Sequence, residues 1–88
     1  VPEFGIFLLS LHGRPIGEWL TFYDPDAGDL ERSGLIDCSP DAARALRFLN
    51  YLAAADYWQQ QSTRLPLRPD GRPNRPLTAF TVEIKRLP

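Results

Sequence analysis

Residues 77–86 read Leu77-Thr78-Ala79-Phe80-Thr81-Val82-Glu83-Ile84-Lys85-Arg86, and within them Phe80, Val82 and Ile84 alternate with Thr81, Glu83 and Lys85. Successive side chains of an extended chain point to opposite faces, so this stretch has one apolar and one wet face. A strand of that kind belongs to a sheet packed on one side, which asks for antiparallel neighbours and a layer over the apolar face.

The neighbours come from the first third of the chain. Residues 4–11 form an apolar run rich in β-formers, His12-Gly13-Arg14-Pro15 supplies turn chemistry, and residues 16–23 form a second run, which together predict a hairpin. The first run lacks the basic leader and small-residue cleavage site of a secretory signal and is preceded by Glu3, so it reads as a strand. In the second run Ile16, Leu20 and Phe22 share one face and Trp19, Thr21 and Tyr23 the other, which predicts a sheet covered in part on both sides. Residues 24–29, Asp-Pro-Asp-Ala-Gly-Asp, are a loop with three solvated acids. Their spacing lacks the later bidentate Glu and the flanking helices of an EF-hand, so no cation site is expected. Leu35-Ile36-Asp37-Cys38 adds a short third strand.

The covering layer starts at Ser39-Pro40-Asp41, where a serine cap, a proline suited to the first helical position and an acid at the positive end of the helix dipole coincide. Residues 40–61 then read in two ways. One is a single helix with Ala42, Leu46, Leu49, Ala53 and Tyr57 in a stripe; the other breaks near Arg47-Phe48, with Asn50 capping a second helix from Tyr51 to about Gln61. Asn50 is a better cap than interior residue, which favours the broken form. The expected fold is α+β: a small three- to four-stranded, mostly antiparallel sheet with one helical layer, in one domain spanning residues 1–88.

Eighty-eight residues lie near the lower end for a single unstapled core, and five Phe, three Tyr and two Trp supply the bulk that such a core needs. A homodimer is a second way to cover an exposed sheet face in so short a chain. One cysteine, Cys38, excludes an internal disulfide, and one histidine, His12, leaves no metal-ligand cluster; neither a cofactor nor a metal is expected. Cys38 reads as a buried spectator and His12 as a turn residue. Without a nucleophile–base pair, a phosphate-binding glycine loop or a zinc helix motif, no enzyme is expected. No stretch reaches the length of a membrane span, and the lone thiol suits a reducing compartment, so the expectation is a cytoplasmic protein.

The candidate contact surface is the segment 62–76, Ser-Thr-Arg-Leu-Pro-Leu-Arg-Pro-Asp-Gly-Arg-Pro-Asn-Arg-Pro, which holds four of the nine prolines and four of the ten basic residues. That proline density predicts an extended loop with turns at Pro69-Asp70-Gly71 and Pro73-Asn74. Arg64, Arg68, Arg72 and Arg75 would stand on a stiff backbone beside Trp19, Tyr57 and Trp58, a surface for binding a protein partner. The two P-x-x-P spacings, at 66–69 and 73–76, fit polyproline ligands by spacing alone. In the opposing structural reading the arginines pair with Asp70 or with the acidic first half: residues 1–41 hold eight acids against two bases, residues 42–88 eight bases against three acids. Nucleic acid is the alternative partner, bound by a small regulator or mimicked by the acidic half against a defence complex, although a pI near 5.7 is low for a nucleic-acid module.

The segment Arg-Pro-Asp-Gly-Arg-Pro-Asn-Arg-Pro-Leu-Thr-Ala-Phe-Thr-Val-Glu-Ile, residues 68–84, resembles that of a group of small bacterial and phage or prophage hypothetical proteins. Tyr-Asp-Pro-Asp-Ala at 23–27, Ala-Leu-Arg-Phe at 45–48 and Tyr-Trp-Gln-Gln-Gln-Ser at 57–62 are similar to it as well. The resemblance implies a short accessory protein with a break at Arg47-Phe48, and it transfers no site. Leu49 departs from the pattern, which has proline there.

Overall fold

The computed structural model describes residues 3–28 and 34–88. Strands β1 (Phe4–Leu11), β2 (Arg14–Asp24), β3 (Leu35–Ser39) and β4 (Phe80–Arg86) form one antiparallel sheet in the order β3-β2-β1-β4, and helix α1 (Tyr51–Trp58) packs against β1 and β4. The fold is the expected small α+β sandwich of one sheet and one helical layer. Its extents of 39 × 26 × 18 Å leave no room for a second helical layer. The last strand pairs with the first, so β4 and β3 are the two sheet edges.

Leu11 pairs with Arg14, which leaves only His12 and Gly13 in the first connection. Their φ angles of 49° and 81° are both left-handed, the requirement of the two-residue turn whose twist matches the flanking strands. Arg14 and Pro15 therefore belong to β2, not to the turn as expected. The alternation along β2 also differs from the expectation. Against β3, Leu20 pairs with Cys38 and Phe22 with Asp37, so Thr21 is an extra residue. The bulge resets the faces: Leu20 and Tyr23, three apart, both enter the core, while Phe22 is 44% exposed. At the same bulge the Leu20 carbonyl accepts the Leu46 N–H at 3.0 Å.

Residues 40–61 take the broken form. The Ser39 hydroxyl accepts the Asp41 N–H, and Asp41, two residues later than the expected cap, accepts the Ala43 N–H at 2.9 Å to open a single 3-10 turn at Ala42–Arg44. The chain then runs extended, with Phe48 exchanging two 2.9 Å backbone bonds with Phe4. Asn50 ends this stretch with its carbonyl oxygen on the Ala53 N–H at 2.8 Å and starts α1. The helix stops at Trp58, short of Gln61, where the Tyr23 hydroxyl donates to the Gln60 carbonyl. No single stripe forms: Leu49 is 71% exposed, and Leu46 and Phe48 reach the core from extended backbone.

Ile6, Leu8, Leu20, Tyr23, Ala54 and Leu77 are the core, with Val82, Ile84 and Trp58 packed around it. Each large member contributes about 1.5–3 kcal/mol of burial. On the opposite face of the sheet no element among the described residues lies over the strands, and side chains cover one another. Phe7 and Trp19 meet edge to face at 5.1 Å, and the Lys85 ammonium sits 4.0 Å from the Phe7 ring centre and 5.1 Å from that of Trp19. A Cβ on Gly5 would lie 2.9 Å from the Trp19 ring, so the indole lies flat on the backbone only because position 5 has no side chain.

Candidate functional site

Residues 62–76 are not a freely extended loop. The Gly71 N–H bonds to the Arg68 carbonyl and the Arg68 N–H to the Arg72 carbonyl, which makes the expected turn at Pro69-Asp70-Gly71. The second expected turn, at Pro73-Asn74, is instead a pairing zone. Leu67 bridges Pro73, the Asn74 N–H meets the Pro66 carbonyl at 2.9 Å, and the Ser62 N–H meets the Asn74 carbonyl at 2.8 Å. Side chains close the gaps that proline leaves in the ladder: Asn74 Nδ2 donates to the Leu65 carbonyl and Gln61 Nε2 to that of Pro66.

The base of this excursion is held by Asp26, which sequence reading placed among solvated acids. One of its carboxylate oxygens accepts from the Ser62 hydroxyl, the Thr63 N–H and the Arg64 N–H at 2.7–2.9 Å; the other accepts from the Thr63 hydroxyl at 2.7 Å. The Arg64 N–H, followed by the Thr63 and Ser62 hydroxyls, holds the Asp26 carboxyl far below the usual carboxylate range. Asp24 in turn accepts the Asp26 N–H in an Asx turn. Asp29, the third acid of that loop, lies outside the described residues.

The arginines divide accordingly. Arg64 lies at the anchored base, its Nε donating to the Asp26 carbonyl at 2.8 Å. Arg68, Arg72 and Arg75 come together with Trp58, Gln59 and Thr78 around an open depression of about 480 Å³. The Arg72 side chain, 80% exposed, makes a loose 3.9 Å contact to Asp70, whose carboxylate also accepts the Arg72 N–H at 3.0 Å. Arg75 Nε is buried without a hydrogen-bond partner among the described residues, an arrangement that costs about 1–3 kcal/mol or more for a charged donor. Among the described residues no carboxylate forms an ion pair with Arg68 or Arg75.

The depression continues into a second one of about 530 Å³ between α1 and β4, the two sharing Trp58, Gln59 and Thr78. Tyr51, Ala55 and Trp58 wall it from the helix; Phe80, Val82 and Ile84 line it from the strand. Tyr51, two helical turns before Trp58, is 55% exposed. The whole is a groove with an apolar length and a cationic end. Trp58 is fixed at the junction by its Nε1–H on the Leu77 carbonyl at 3.1 Å.

The other aromatic residues expected at the contact surface are elsewhere. Trp19 is on the opposite sheet face and 7% exposed; Tyr57 packs on Phe48 and Tyr23 and donates to the Tyr23 carbonyl. Both stand where strand or helix periodicity puts them, one residue out of phase with the groove. The residues missed by sequence reading, Tyr51, Gln59 and Thr78, carry no signal until the helix is known to lie along an edge strand.

Among the described residues no group of three His, Cys, Asp or Glu side chains is placed to hold a metal ion. His12 is in the hairpin turn, and Cys38 lies on the edge strand β3, exposed rather than buried as expected. Local desolvation, then Glu18 and Asp37, push its thiol up, so it is a weaker nucleophile than a free cysteine at neutral pH. No helix among the described residues is long and apolar enough to cross a membrane. Compared with protein-family models, with curated proteins and with solved structures, the chain matches none.

Proposed function

We propose that this protein is a non-enzymatic protein-binding module, an accessory protein of the phage or prophage type, working in the cytoplasm, that grips acidic segments of a partner with Arg68, Arg72 and Arg75. The observation that carries this reading is the buried Nε of Arg75, without an acceptor among the described residues, beside Arg68, which has no ion pair among them, and Arg72, whose side chain is 80% exposed. The guanidinium groups of Arg68, Arg72 and Arg75 line the depression, and such groups bind a carboxylate through paired, charge-assisted hydrogen bonds. The pairing of residues 62–76 fixes the arginines before a partner arrives, which lowers the entropy lost on binding.

The test is the Arg68→Ala/Arg72→Ala double variant. Both residues are exposed, so its melting temperature is expected within about 4 °C of wild type. Its retention on an immobilised hexaglutamate peptide is expected to be lost. A variant that unfolds would instead support the structural reading of the loop. Retention on DNA or RNA that falls steeply with salt, with none on the acidic peptide, would replace the protein partner by a nucleic acid.

A further inference from the structure

The groove has a direction, and the direction specifies a ligand. β4 is an edge strand: it pairs with β1 on one side, and beyond Phe80, whose N–H bonds to the Leu77 carbonyl, no backbone group among the described residues bonds to its other side. Alternate N–H and C=O groups of residues 81–86 are therefore open to an added strand, the mode in which sheet edges recognise extended peptides. The apolar trough between α1 and β4 runs along the same edge and gives pockets for alternate side chains of such a peptide. From Phe80 to Ile84 it has room for about five residues at 3.3 Å each.

Charge sets the polarity. The arginine depression adjoins Thr78, just before the start of β4, and the strand runs away from it to Lys85 and Arg86. A peptide antiparallel to β4, continuing the pattern of the sheet, ends its C-terminus at Arg68, Arg72 and Arg75. A parallel one brings its N-terminal amine there instead. A second copy of this chain fits poorly: antiparallel β4–β4 pairing sets Lys85 and Arg86 of each copy toward the arginine end of the other.

We propose that the site takes the extended C-terminal tail of a partner protein, added as a fifth strand antiparallel to β4, with apolar side chains in the α1–β4 trough and its terminal carboxylate on the arginines. This rests on the carboxylate-binding reading above, and adds to it the strand, the direction and the free chain end.

The experiment uses three peptides on the full chain: acetyl-Thr-Val-Thr-Val-Thr-Val-Asp with a free carboxylate, the same peptide as its C-terminal amide, and acetyl-Asp-Val-Thr-Val-Thr-Val-Thr amide. Affinity is read from Trp58 fluorescence in a Trp19→Phe background and backbone protection from amide hydrogen exchange. The free acid is expected to bind, to slow exchange at alternate amides of residues 81–86, and to lose about tenfold in affinity on amidation. Arg72→Ala, at an exposed position, is expected to weaken it by a further severalfold. Equal affinity for acid and amide overturns the chain-end claim. Binding of all three acidic peptides without protection of β4 overturns strand addition and leaves the carboxylate reading standing; failure of all three, and of hexaglutamate, overturns both. Dimerisation by β4 pairing, seen as concentration-dependent protection of the same amides without peptide, also contradicts the proposal.

Discussion

Asp26 concentrates local order outside the core, since four donors from three consecutive residues converge on its two oxygens. Its depressed pKa means that the stabilisation is complete above the ordinary carboxylate value of 3.8 and is lost as pH falls from there through the folded value. The wild-type melting temperature should therefore decline below about pH 5. Asp26→Asn, which turns one acceptor into a donor facing the Thr63 hydroxyl, should melt several degrees lower at pH 7 and show a shallower decline in acid. Thermal scans across pH check both. At Gly5 the cost is steric: Gly5→Ala forces the Trp19 ring off the strand and is expected to destabilise by about 1–3 kcal/mol, with a red shift of tryptophan emission, by urea titration. At Cys38 the raised pKa moves the midpoint of alkylation by iodoacetamide above that of free cysteine, and Glu18→Gln should move it back toward it, by mass spectrometry of the rate against pH.

Among the elements, α1 depends on its cap. Eight residues are too few for a helix to hold itself, so Asn50→Ala should cost about 1 kcal/mol in chemical denaturation and loosen the groove wall at Tyr51. This cap was legible in the sequence because it rests on one residue type at one position, and β1, β2 and β4 were legible because alternation is a local property. The bulge at Thr21 was not: whether β2 carries an extra residue depends on the register of β3, so the facing of Phe22 and Tyr23 came out reversed. The closure of residues 62–76 was hidden for a similar reason, because its anchor joins Asp26 to Ser62 across 36 positions of sequence. Proline density correctly marked the absence of helix and central strand there, while the Asn74 and Gln61 side chains that restore order are polar residues like any others.

At the scale of the molecule, the contrast between an acidic first part and a basic second part resolves into a division of labour. Arg64 and Asp26 join the halves, whereas Arg68, Arg72 and Arg75 remain a cationic end to an apolar groove. Those three arginines and Trp58 are visible in the sequence as residue types in a marked segment, whereas the edge strand that gives the groove its direction is not, because strand order follows from non-local pairing. The Nε–Hε resonance of Arg75 is the most direct probe, since that N–H is buried, lacks an acceptor among the described residues, and belongs to a guanidinium that lines the depression. Titrating isotope-labelled protein with the acidic heptapeptide bearing a free carboxylate should move this resonance saturably as the guanidinium it belongs to gains charge-assisted hydrogen bonds. A resonance that stays in place at saturating peptide, with the remainder of the spectrum unchanged, would contradict the arginines as a carboxylate-binding surface.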